Sequence, residues 1–244
     1  MAQTPCFWQE DQDAGFLDGG SNYCAPTAIS NGLVYLAQAR GLTDLVPGGL
    51  APGFVHQNQI DLIKELAGEM ATDPKTGTNP DKILTGLRRY VLGKGLRLNR
   101  LEVATWRRLS GNNRACWVGT QPKLEWMREA ATNPDCVEVL NVGWYRTEEN
   151  GYSRHSGHWV TVVGAGPGTL DFAIHNPAMH PQTQKAKMAV ALTLLDKDFM
   201  VLNSTTGDTG NMNGYYKVDG PGLPLGSKTA VAVLDSVIVF SVQK

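Results

Sequence analysis

The chain is short of cysteine, of net charge and of long apolar runs, and each shortage removes a class of protein. Four cysteines in 244 residues are too few for a disulfide-stapled scaffold, and no CxxC pair suggests a zinc ribbon or a dithiol redox motif. Whether Cys6, Cys116 and Cys136 include one disulfide or are three buried thiols stays open at this level. A net charge of −1 argues against a general electrostatic grip on nucleic acid or anionic membrane, leaving Arg107, Arg108 and Arg114 as a local basic patch. No apolar run reaches the roughly 18 residues of a membrane span, and the N-terminus lacks the basic and apolar regions of a signal peptide. Internal repeats, low-complexity tracts and charge blocks are absent too. Met1-Ala2-Gln3 reads either as a native start or as an added Met on a chain whose export signal was removed. The second reading favours an extracytoplasmic location and leaves a cytoplasmic one open.

What the chain does have is apolar material. At 42% hydrophobic and 18% charged, it can bury a substantial core, as one domain or as two lobes around a cleft. The stretch that organises the reading is Ser21 to Arg40, where Ala28, Ile29, Leu33, Leu36 and Ala37 fall on one face of a helix whose first turn carries Cys24. Asn22 can cap its start, and Pro26 suits a first turn. A thiol in that place feels unpaired N–H donors and the positive end of the peptide dipole, so Cys24 is expected to lean toward thiolate. The competing reading is a buried structural cysteine.

Further along, Gln57 to Met70 and Asp81 to Leu92 keep helical spacing, and Asn79-Pro80-Asp81 is a good helix start. From Leu96 the texture changes. LRLNRLEV alternates, Ala115 to Gly119 is a short apolar run, and Pro122 to Ala131 is one more helix. Strands are expected over Cys136–Tyr145, His158–Gly164, Thr169–His175, Met188–Leu195, Tyr215–Val218 and Thr229–Val242. The plan is a helical first part and a β second part that meet in a groove.

Two of those strands carry chemistry. His158 opens one, Asn176 follows the next, and Gly164-Ala165-Gly166-Pro167-Gly168 links them tightly, so a hairpin sets the two side by side. Cysteine chemistry needs an imidazole to share the thiol proton and a third group to hold the ring's tautomer, and Cys-His-Asn is one such set. A metal site from His155, His158, His175 and His180 fits less well. His155 is expected in a loop, and His175 and Asn176 point to opposite faces of a strand. Trp106, Trp117, Trp126 and Trp144 read as core anchors, and Trp159 as a shield or cleft wall beside His158.

Cys24-Ala25-Pro26-Thr27-Ala28, His158 to Gly164 and Asn176-Pro177 together resemble the papain-like cysteine peptidase superfamily, in its branch related to the bacterial peptidases that clip bacteriocin leaders after double glycine. The resemblance covers nearly the whole chain. Ala25 stands where that branch usually has Gly, and Asn176 where it often has Asp. The resemblance implies one α+β papain-like domain over 1–244, with a mainly helical part (1–110) facing a mainly β part (111–244) built as an antiparallel sheet or partial barrel. It also implies a Cys24, His158, Asn176 triad that hydrolyses peptide or isopeptide bonds of a peptide or protein substrate, with no metal or organic cofactor. In the family a Gln lies about six residues before the cysteine and helps stabilise the oxyanion. That position here is Asp18, which leaves Gln12 as the expected donor and Gln9 as its substitute. The other readings are a catalytically silent papain-like binding module and a transglutaminase-like acyl transferase.

Overall fold

Apolar spacing and capping residues set the helices where the sequence placed them. The computed structural model describes residues 4–149, 151–180, 188–195, 200–203, 207, 209–220, 223 and 231–244. Its helices are α1 (Cys24–Arg40), α2 (Val55–Glu69), α3 (Pro80–Gly93) and α4 (Leu124–Thr132). Asn79 caps α3, its Oδ1 accepting from the Lys82 N–H at 2.9 Å, with Pro80 in the first turn. The strands are β1 (Arg97–Thr105), β2 (Trp117–Gly119), β3 (Val137–Glu148), β4 (Gly151–Ala165), β5 (Asp171–His175), β6 (Met188–Leu194), β7 (Met200–Asn203), β8 (Thr209–Asn211), β9 (Tyr216–Asp219) and β10 (Val231–Gln243). Met1-Ala2-Gln3 and the first two residues of the last expected strand, Thr229 and Ala230, lie outside the described residues.

The sheet closes on itself. Antiparallel pairings run β3–β4–β5–β6–β9–β10, and β10 pairs back to β3, which makes a barrel. β1 extends the sheet from β10, and β7 pairs with the first part of β4. The division into a helical first part and a β second part therefore has one exception, because β1 leaves the helical part to pair with the end of the chain.

Strand alternation divides the core into two layers. Val139, Trp159 and Ile238 face the helices and pack with Leu33 and Leu36 of α1, Leu62 and Leu66 of α2, and Leu84 and Leu87 of α3. Their neighbours Leu140, Val160 and Val239 face the barrel interior with Val162, Phe172 and Ile174, where Met127 and Ala130 of α4 join them. α1 lies between α2 and the strands β3 and β4, so every residue from Cys24 to Ala37 is buried rather than one stripe. The expected amphipathic helix is thus a central one.

β4 begins at Gly151, well before the expected start at His158, because Tyr152 to Ser156 pair with β3 although their polar side chains do not read as a strand. His155 lies in β4 and not in a loop. β7 and β8 were likewise not legible as strands.

The approach of α1 to the barrel is close enough to exclude a methyl group. A Cβ on Gly32 would stand 2.2 Å from Val137 Cγ1. Gly32→Ala gains up to about 1 kcal/mol of helix propensity but overpacks the α1–β3 contact by about 1–3 kcal/mol. Net destabilisation is expected in urea unfolding. Gly68→Ala in α2, where a Cβ meets nothing within 4 Å, is expected to stabilise.

Candidate active site

β4 carries the site because it touches α1 and β5 at once. Thr161 Oγ1 donates to the carbonyl of Ala28 at 2.8 Å, which fixes the strand along the first turns of α1. On its other edge Thr161 pairs with His175 and Val162 with Ile174, so the expected β4–β5 hairpin forms and brings Asn176 alongside His158.

The two side chains are joined by a hydrogen bond of 2.6 Å between His158 Nε2 and Asn176 Oδ1. Asn176 Oδ1 also accepts the Ala178 backbone N–H at 2.9 Å, which identifies that atom as the oxygen. An amide oxygen only accepts, so His158 Nε2 carries the proton and Nδ1 of the neutral ring keeps its lone pair. Trp144 stacks on the imidazole with centroids 5.8 Å apart. Trp159 instead reaches toward α3, its indole N–H bonded to the carbonyl of Thr78 at 3.0 Å. The shield on His158 is therefore Trp144, and Trp159 is a wall of the neighbouring pocket.

Cys24 is set beside this pair by the strand backbone. The Trp159 N–H, one residue after His158, is directed at the Cys24 thiol, as are the N–H groups of Ala25 and of Cys24 itself. No hydrogen bond joins Cys24 Sγ to the His158 ring among the described residues. The structure thus brings His158 and Asn176 into direct contact, and ties Cys24 to them through one peptide unit. Asn22 does not cap α1. Tyr23 holds the cap position, and the Asn22 amide donates to the carbonyl of Pro74 at 2.7 Å.

Burial reverses the expected electrostatics. Cys24 is 8% exposed, and desolvation pushes its thiol above the ordinary value, outweighing the three backbone N–H groups and the charge of Arg154, all of which act the other way. Desolvation also pulls His158 down to about 4, with the Asn176 hydrogen bond a smaller opposing effect. Both shifts favour a neutral thiol and a neutral imidazole. The helix-mouth argument for a thiolate fails here because it leaves out the loss of water.

Gln12 and Gln9 are placed very differently. Gln12 is exposed in a short 3-10 turn. Gln9 is buried, takes the Pro177 carbonyl on its backbone N–H at 2.8 Å and donates its amide Nε2 to the Ser21 carbonyl at 2.9 Å. It bridges the segment after Asn176 to the segment before Cys24. Its Oε1 has no hydrogen-bond partner among the described residues. Gly20, at φ +79°, allows this, since a Cβ there would lie 1.7 Å from the Gln9 carbonyl oxygen.

One wall of the site went unrecognised in the sequence. A pocket of ≈ 250 Å³ holds Cys24, with Arg107, Asn141, Arg154, His155 and Trp159 among its lining. Arg154 forms a buried ion pair with Asp235, which also accepts from the Tyr145 hydroxyl and from Trp106 Nε1 at 3.2 Å. Arg154 Nη2 donates to Asn141 Oδ1 at 3.1 Å. The register partners Gly143 and Gly157 make room, because a Cβ on the first would meet Asp235 and on the second Arg154. A charged pair split between β4 and β10 has no sequence signature. The remaining histidines go elsewhere, His175 to the carbonyl of Pro5 at 3.0 Å and His180 against Trp8. Among the described residues, no group of three His, Cys, Asp or Glu is placed to hold a metal ion. None of the four cysteines is joined in a disulfide.

Two outcomes follow from this geometry. In ¹⁵N-edited NMR, His158 should show the Nε2–H tautomer and titrate at about 4, and Asn176→Ala should lower that value further. Because the unfolded ring ionises near 6.5, His158 costs stability as pH falls from 6.5 toward 4 and nothing above that window. A normal imidazole titration in the folded protein would contradict this. Asp235→Asn, which strands the Arg154 charge, is expected to cost about 3–5 kcal/mol in urea unfolding.

No protein-family model matches the chain, and no curated protein matches it in sequence.

Proposed function

We propose that the chain is a papain-like cysteine peptidase that hydrolyses peptide or isopeptide bonds through Cys24, His158 and Asn176. The observation that carries this is the His158–Asn176 pair, whose hydrogen bonding leaves Nδ1 as a free base next to the peptide unit that holds Cys24. The sequence motif around Cys24 and the adjoining pocket support it. In this reading His158 Nδ1 takes the thiol proton as sulfur attacks the scissile carbonyl, and the resulting imidazolium gives that proton to the leaving amine. Water, deprotonated by the same nitrogen, then attacks the thioester, releasing the acid and restoring the thiol. The backbone N–H of Cys24 is one oxyanion donor. Gln9 is better placed than Gln12 to supply the second, since it is buried with its backbone N–H on the Pro177 carbonyl and only one of its two Nε2 hydrogens on the Ser21 carbonyl.

The neutral thiol and imidazole make proton transfer part of the attack rather than a step completed beforehand. Enzymatic hydrogen bonds are often long before substrate binds. The same observations favour a second reading, a silent binding module of this fold. Cys24 is buried with a raised pKa, and no thiol–imidazole hydrogen bond joins the two.

Turnover of a peptide library separates the readings. Cys24→Ala should abolish cleavage, and His158→Ala should lower kcat about 10²–10⁴-fold, with melting temperatures near that of the parent protein. Alkylation of Cys24 by iodoacetamide should be slow at about pH 6 and rise through and beyond the usual thiol range near 8.5, with His158→Ala slowing it at neutral pH. Cleavage that survives Cys24→Ala would overturn Cys24 as the nucleophile, and alkylation indifferent to His158 in a protein without turnover would leave the binding module as the account.

A further inference from the structure

The pocket at Cys24 does not end at its own walls. A second concavity of ≈ 290 Å³ shares Arg107 with it and runs past Trp106 and Trp117 to Arg108 and Arg114. The first also presents Lys75. Neither is lined by Asp or Glu among the described residues. On a chain of net charge −1 this is a local concentration of positive charge. Arg154 is paired with Asp235, and Lys75, Arg108 and Arg114 add positive charge to the joined groove. Asp73 and Asp81 lie nearby but line neither concavity; Asp73 accepts from the Lys75 and Thr76 N–H groups and Asp81 from Ser110 and Asn113.

Trp117, read from sequence as a core anchor, is 49% exposed. Its indole N–H is held by the Thr105 carbonyl at 3.1 Å, which fixes the ring in the groove wall beside the arginines. Arginine matches carboxylate with two parallel N–H···O bonds, and a fixed indole covers the apolar stem of a Glu side chain at little entropic cost.

We infer that the joined groove binds an acidic stretch of a peptide, with the carboxylates on Arg108 and Arg114 and the backbone running on toward Cys24. This rests on the peptidase reading for what happens at Cys24, and on the groove alone for what is bound. Peptide is favoured over nucleic acid because the groove leads to a thiol poised for a carbonyl, which a phosphodiester does not offer. The chain also has no general excess of positive charge.

The test uses fluorescence anisotropy with labelled hexaglutamate, hexalysine and hexathymidylate on the full chain carrying Cys24→Ala, with and without Arg108→Glu and Arg114→Glu. Both arginines are exposed, and melting temperatures report whether the reversed protein is folded. Arg108→Gln with Arg114→Gln serves if it is not. Hexaglutamate should bind more tightly than hexalysine, weaken as salt is added, and lose about tenfold or more on charge reversal. Equal affinity for hexaglutamate and hexalysine, no loss in the reversed or neutralised protein, or tighter binding of hexathymidylate would overturn the inference. Binding is read without turnover, so the two proposals fail separately. A protein that holds hexaglutamate but never cleaves loses only the peptidase reading, and one that cleaves neutral peptides while ignoring hexaglutamate loses only the groove.

Discussion

Burial of α1 against the outer faces of β3 and β4 is the constraint on which the rest depends. Gly32 lets the helix backbone come down on Val137, Thr161 bonds to the Ala28 carbonyl, and Trp159 points its backbone N–H at the Cys24 thiol. These contacts fix the height of the helix mouth on the strand to within one side chain.

The same burial sets the electrostatics. Water removed from around Cys24 and His158 works against a charged form of either, and the backbone donors at the helix mouth do not compensate. Arg154 pays its desolvation differently, by pairing with Asp235 over two register-matched glycines and by bonding to Asn141. The site therefore sets an ion pair, Arg154 with Asp235, near a thiol and an imidazole whose burial favours their neutral forms. That difference comes from whether an opposite charge lies within contact distance.

Much of the architecture was legible from residue pattern. The helical spacing of α2 and α3, the Asn79 cap, the alternation of β5 and the β-branched apolar runs of β3 and β10 all reflect local rules that a sequence expresses directly. The pairing of His158 with Asn176 was legible for the same reason, because a tight link between two short strands leaves few ways to arrange their ends. β7, β8 and the polar start of β4 were not legible, since they owe their strand conformation to neighbours and not to their own side chains. The different surroundings of Gln9 and Gln12 were not legible, because distance along the chain says nothing of where a loop folds back; Gly20 at φ +79° lets Gln9 be buried against it, while Gln12 stays exposed.

Sequence by itself determined most of the element types and the closeness of His158 and Asn176, both of which depend on short-range geometry. Tertiary structure decided the closure of the barrel, the charge states of Cys24 and His158, the Arg154–Asp235 pair and the basic groove beyond Arg107. Each of these turns on how much water is excluded and which distant segment supplies the neighbour, and neither quantity is written in any one stretch of the chain.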